Sequence, residues 1–150
     1  MSFLKIAENE ILIGALAAWG LAQLLKPPME YLRTGKWNWA AIANAGGMPS
    51  SHSALVVGAT LGVGLYQGFD SPLFALAFAF TMIVVYDAAN VRHQAGIQAQ
   101  KINVIVNELL AGHPISEKDL REVLGHTWLE VIGGILLGLL VATISWLIIR

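Results

Sequence analysis

The chain has 150 residues, 56% of them hydrophobic and only 13% charged, with a net charge of −1 and no cysteine. An average soluble domain carries about 25% charged residues, so this composition points to a membrane protein, and near-neutrality removes the electrostatic case for nucleic-acid binding. The absence of cysteine excludes disulfides, thiolate catalysis and cysteine-ligated zinc, and the length suits a single domain over residues 1–150.

Four apolar segments follow one another along the chain. The first, Ile11 to Leu25, is interrupted only by Gln23. Its start lacks the basic residues of a secretory signal, and Glu8 and Glu10 directly precede it, so it is expected to be a retained helix. Ser53 to Phe69 and Ser71 to Tyr86 carry no charge. The junction Gly68-Phe69-Asp70-Ser71-Pro72 is a tight turn signal, so these two should form a helical hairpin. Val131 to Ile149 is again uncharged. A helix needs roughly 20 apolar residues to cross a bilayer, with a range of about 17–25. The expected fold is therefore all-α, a bundle of about four transmembrane helices. A soluble bundle would show polar stripes on its helices, and these segments show almost none. Glycines 58, 62 and 64, and 133, 134 and 138, allow close helix contact, and small-residue faces of this kind permit a homodimer.

Two polar stretches remain, 26–52 and 87–127. The second should hold an amphipathic helix near Asn90 to Leu110, a break at Gly112-His113-Pro114, and a capped helix start at Ser116-Glu117-Lys118-Asp119. If all four segments span, both stretches share one side of the membrane. That side carries Lys26, Arg33, Lys36, Arg92, Lys101, Lys118 and Arg121, against Lys5 and Arg150 on the other. The imbalance favours a cytoplasmic polar face.

Polar residues gather at the mouths of the apolar segments. Lys26 and Arg33 follow the first; taken alone they are ordinary positive-inside anchors. Gly46-Gly47-Met48-Pro49-Ser50-Ser51-His52 precedes the second. Its glycines let the backbone turn sharply, Pro49 suits a first helical turn and Ser50 or Ser51 a cap. The N–H groups of such a helix start attract anions, and His52 could donate a proton there. Asp87, Asn90, Gln94 and Lys101 recur at helical spacing beyond the third segment. An aspartate at the end of an apolar span is costly unless paired or wet, and Asp87 could hold Arg92, Lys26 or Arg33. His126 and Glu130, four apart, share a helical face at the entry to the last; the carboxylate can orient the imidazole and stabilise its charged form. Each cluster has a plain structural explanation. Together, two histidines, a carboxylate, several cations and a glycine-serine helix start are what attack on a phosphate ester requires.

These residues resemble the divergent, small membrane branch of the type 2 phosphatidic acid phosphatase superfamily, related to acid phosphatases and vanadium haloperoxidases. That superfamily's pattern is Lys-x6-Arg-Pro, then Pro-Ser-Gly-His, then Ser-Arg-x5-His-x3-Asp. Lys26-x6-Arg33 is similar to the first, with Thr34 for proline; Pro49-Ser50-Ser51-His52 to the second, with Ser51 for glycine; and His126-x3-Glu130 to the end of the third, with glutamate for aspartate. Arg121 stands five residues before His126, beside Glu122 rather than serine, so Arg92 is a candidate substitute. The resemblance implies His126 as nucleophile, Glu130 as its orienter and His52 as general acid. It implies Lys26, Arg33, Ser50, Ser51 and Arg92 as phosphate ligands, with Asp87 and Gly47 supporting. It implies no metal and no cofactor, and a phosphorylated lipid or prenyl (di)phosphate as substrate. The expected activity is hydrolysis through a phosphohistidine. The alternative is an inactive phosphate-lipid binder or an assembly protein for a membrane complex. A metal-dependent hydrolase built on Asp87, His93, His113, His126 or Glu130 lacks any H-E-x-x-H-like spacing.

Overall fold

The computed structural model describes residues 3–44, 46–109 and 126–149. Among these residues, a short 3-10 turn at Phe3–Ile6 is followed by five α-helices: α1 Glu10–Thr34, α2 Ser51–Gln67, α3 Pro72–Tyr86, α4 Arg92–Leu109 and α5 Trp128–Ile149. No strand occurs among the described residues.

Local chemistry sets most helix ends. Asn9 caps α1, its Oδ1 accepting the Leu12 N–H at 3.0 Å. Ser71 caps α3, accepting from Phe74 N at 3.2 Å, and Pro72 takes the first turn. Between α2 and α3 the chain turns at Gly68 (φ 93°), where a Cβ would meet Asp70 Oδ1 at 2.6 Å. The hairpin expected from that turn is present, and Thr60 and Thr81 join its arms through a 2.7 Å hydroxyl–hydroxyl hydrogen bond.

α1 runs well past its apolar segment. Pro27 and Pro28 remove the donors that would serve the Gln23 and Leu24 carbonyls, yet the helix continues to Thr34. It stops at Gly35, whose positive φ of 69° lets its N–H reach the Tyr31 carbonyl at 2.8 Å. Lys26 and Arg33 therefore project from a helix, two turns apart on one face.

The amphipathic helix expected near Asn90 to Leu110 is present as α4, and it is continuous with α3. α3 passes through a π-helical turn at Asp87–Val91 straight into α4. No glycine or proline lies between Leu73 and Ala95 to stop it. A π turn holds an extra residue, so the shared face expected for Asp87, Asn90, Gln94 and Lys101 is broken at that point. The breaks and caps expected at Gly112–Asp119 lie outside the described residues.

The bundle is organised around α2, which packs against α1, α3 and α5. Its core is built from small side chains. Ala15, Ala18, Ala22, Ala54 and Ala142 are buried. A Cβ on Gly138 would meet the Ala54 carbonyl oxygen at 2.7 Å, and one on Gly134 would run into the Ser50 backbone. The large apolar residues face outward instead, among them Leu76, Phe80, Ile83, Leu136, Leu147 and Ile148. This inversion of a soluble bundle fits a lipid environment, where association rests on close packing of small residues. Among the described residues three stretches are long and apolar enough to cross a membrane: Glu10–Thr34, Pro72–Val106 and Trp128–Ile149. At 17 residues, α2 sits at the lower limit for a span and is enclosed by the others. The molecule is an all-α membrane protein.

A candidate phosphate-ester site at one end of the bundle

The C-terminal end of α1, the N-termini of α2 and α5, and the π turn after α3 meet at one end of the bundle. Backbone hydrogen bonds tie them together. Ser50 N donates to the Glu130 carbonyl at 2.9 Å, and His126 N to the Ala88 carbonyl at 3.2 Å. The residues singled out on each element are thereby brought to a common place.

His126 stands just before α5 and is 2% exposed. Its Nδ1 lies 3.2 Å from Glu130 Oε2. The same oxygen accepts the Thr127 N–H at 3.0 Å, and Thr127 Oγ1 accepts Glu130 N at 3.4 Å. Thr127 and Glu130 thus form a reciprocal capping box, and Glu130 serves both the helix end and the imidazole. A carboxylate on Nδ1 fixes the tautomer with the proton there, leaving the lone pair on Nε2. That Nε2 is buried and has no hydrogen-bond partner among the described residues. The half-buried His52 ring lies 6.1 Å away, centroid to centroid, tilted by 64°.

Lys26 is as buried as His126, at 2% exposed. Its Nζ donates to the Asn44 carbonyl at 2.6 Å. The stem of this lysine runs beside Gly47 (φ 94°), where a Cβ would lie 3.9 Å from Lys26 Cγ and Cδ. The loop before α2 is therefore wrapped over a buried cation. Lys26 and the exposed Arg33 both stand close enough for their charges to act on the Glu130 carboxylate.

Ser50, not Pro49, is the boundary residue of α2. Its Oγ accepts from Ser53 N at 3.4 Å and from Ser53 Oγ at 3.1 Å. Pro49 precedes this cap rather than occupying the first turn. Ser51, 1% exposed, opens the helix, so the positive end of α2 lies at this end of the bundle with His52 in its first turn. Asp87, half-buried, opens the π turn. Arg92 begins α4, but its side chain, like all of Arg121 and Glu122, lies outside the described residues.

Three contributors were missed from the sequence. The Thr127-Trp-Leu-Glu130 capping box was legible as Thr-x-x-Glu before an apolar run. The Asn44 and Ala88 carbonyls were not, because any residue supplies a carbonyl. Among the described residues no three histidine, aspartate or glutamate side chains gather as metal ligands would.

The family model described as "Divergent PAP2 family" matches residues 7–141. An uncharacterized membrane protein of Bacillus subtilis (strain 168), YuiD, is 38% identical over 152 residues, covering 94% of this chain and 96% of that protein. No solved structure matches the chain. With nearly its whole length matched, the chain belongs to the divergent PAP2 family.

Proposed function

We propose that the protein is a metal-independent membrane phosphatase that hydrolyses a lipid phosphate or prenyl (di)phosphate through a phosphohistidine. One observation carries the reading: His126 holds Nδ1 against Glu130 and keeps Nε2 buried beside His52, without a hydrogen-bond partner among the described residues. A buried polar atom without a partner is costly, and such atoms in a native fold call for an explanation. An electrophilic phosphorus is a partner of the right chemistry.

In the proposed reaction Lys26, Arg33 and the N-terminus of α2 neutralise the phosphoryl oxygens. The Nε2 lone pair attacks phosphorus and a P–N bond forms as the P–O bond to the leaving group breaks. Protonated His52 gives its proton to the departing oxygen. Glu130 stabilises the charge that develops on the His126 ring. Water then attacks phosphorus, His52 takes its proton, and the P–N bond breaks to release phosphate. Vanadate should occupy the same site as a phosphate mimic.

The location of the site suits a substrate held in a bilayer. Tyr31, Trp37 and Trp39 form an exposed aromatic cluster at this end, with ring centroids 5.7 and 5.3 Å apart, as residues at a membrane–water interface do. The cation imbalance of the polar stretches supports a cytoplasmic face for the site and four crossings. The test is hydrolysis of dodecyl phosphate by the purified protein in lipid nanodiscs. Turnover abolished in folded His126→Ala is expected. Absence of turnover by the wild type, or equal turnover by His126→Ala, would overturn the proposal.

A further inference from the structure

Beside the site a groove of ≈ 270 Å³ opens in the flank of the bundle between α1 and α5. Every residue lining it is apolar: Leu25 and Met29 from α1, Met48 from the loop before α2, and Gly133, Leu136 and Leu140 from α5 among them. Its position is set by the same helix faces that carry the site. Met29 lies one turn from Lys26 on α1, and Gly133 one turn from Glu130 on α5. Met48 and Pro49 lead directly into Ser50. From Gly133 to Leu140 the groove extends about 10 Å along α5, about a third of the hydrocarbon thickness of a bilayer. It therefore starts one helical turn from the polar cluster and descends where the chains of one leaflet lie.

Resting on the phosphatase reading, we propose that this groove is the chain subsite: it seats the hydrocarbon chain attached to the scissile phosphate. It does so while the phosphate meets His126, and Gly133 leaves the head end of the groove open to the chain. The two halves of the site are complementary in chemistry to the two halves of one ligand class, a phosphate ester of a long apolar chain. The cations and helix N-terminus take the charged head, and a groove without polar lining takes the tail. A water-soluble phosphate would leave the groove unused. A Cβ at Gly133 would stand 3.3 Å from Met48 Cε and 3.6 Å from Pro49 Cβ. A larger side chain there grows into the groove against a flexible methionine rather than into backbone. Gly134, next in sequence, instead faces the Ser50 backbone. Of this adjacent pair one glycine serves helix packing and the other keeps the groove open.

The experiment has two readouts. A dodecyl phosphate bearing a diazirine near the chain end is photolysed with the full-length protein in phosphatidylcholine nanodiscs, and labelled residues are mapped. The expected result is labelling of groove residues such as Leu136 and Leu140, suppressed by unlabelled dodecyl phosphate but not by dodecanol. Labelling spread over outward α3 residues such as Leu76 and Phe80, or suppressed equally by dodecanol, identifies an ordinary boundary lipid and overturns the proposal. In parallel, kcat/KM is measured for dodecyl phosphate and for phenyl phosphate. One methylene in an apolar pocket is worth roughly 10–200-fold in discrimination, so Gly133→Leu should lower the dodecyl-to-phenyl ratio at least about tenfold. Leu136→Trp, on the outer wall, provides a second block should Gly133→Leu fail to fold. An unchanged ratio in a folded variant contradicts the inference. Groove labelling without any hydrolysis would instead leave the chain subsite standing and remove the phosphatase reading.

Discussion

Replacing Glu130 by glutamine separates its two jobs. In the structure one oxygen, Oε2, accepts both from Thr127 N at 3.0 Å and from His126 Nδ1 at 3.2 Å. Glutamine serves a capping box as well as glutamate does, so α5 should keep its start, at a cost of about 1 kcal/mol or less. The His126 contact fares differently. A hydrogen bond to a charged group is worth about 1.5–3 kcal/mol against about 1 for a neutral one, and the neutral amide no longer stabilises an imidazolium. The amide can also turn its NH2 toward Nδ1, which moves the ring proton to Nε2 and blocks the lone pair. Loss of the orienting charge in the serine-protease triad costs about 10⁴ in kcat through that tautomer switch, which serves as the upper bound. The expected result is a 10²–10⁴-fold lower kcat with a melting temperature close to the wild type. The assay is turnover of dodecyl phosphate in nanodiscs beside thermal unfolding of the same samples. Activity within threefold of the wild type would show that Glu130 acts as a helix cap alone. Glu130→Ala, which removes both functions, should lose activity and also about 0.5–2 kcal/mol of stability.

Further outcomes follow from the same geometry. Lys26→Met keeps the buried stem but leaves the Asn44 carbonyl without its 2.6 Å donor; vanadate inhibition should weaken by about one to two orders of magnitude, as loss of a charge-assisted contact implies, measured by titration against turnover. His52→Ala should slow dodecyl phosphate by about 10²–10⁴-fold and 4-nitrophenyl phosphate much less, since nitrophenolate leaves without a proton; equal losses would refute a general-acid role. Gly134→Ala must push α5 away from Ser50 and Ser53 Cβ, which stands 2.9 Å from the new methyl, and should cost about 1–3 kcal/mol in thermal unfolding. Gly20→Ala meets nothing within 4 Å and should be neutral or stabilising by up to about 1 kcal/mol. The chain has no cysteine, so Lys36→Cys and Asp70→Cys can be labelled singly in sealed vesicles. The four-crossing arrangement requires labelling from opposite sides, and labelling from the same side would contradict it.

The caps and turns were legible because they depend on neighbours in sequence. Gly68-Phe69-Asp70-Ser71-Pro72 gives the α2–α3 hairpin from its own chemistry, and Ser50 and Asn9 need only a helix behind them. The small-residue core was legible as glycine spacing, and the gathering of Lys26, Ser50, His126 and Glu130 at one end follows from their positions at the mouths of apolar segments. What was not legible depends on partners distant in the chain. Pro27 and Pro28 normally end a helix, yet α1 continues to the Gly35 cap. The π turn at Asp87–Val91 brings the Ala88 carbonyl to His126 N, and no local sequence signal marks it. The burial of Lys26 depends on the Asn44 carbonyl folding back over it. The groove between α1 and α5 exists only once those helices are side by side, since neither Leu25 nor Leu136 differs from any other lipid-facing leucine in the sequence.

In the proposed reaction His126 Nε2 is the attacking atom. The direct measurement is to quench the purified protein during turnover of dodecyl phosphate under alkaline conditions, which preserve phosphohistidine, then digest it and locate added phosphate by mass spectrometry. The prediction is phosphate on His126, turning over at a rate that accounts for kcat and absent from His126→Ala. Demonstrable turnover with His126 unmodified, in samples quenched faster than the catalytic cycle, would contradict it.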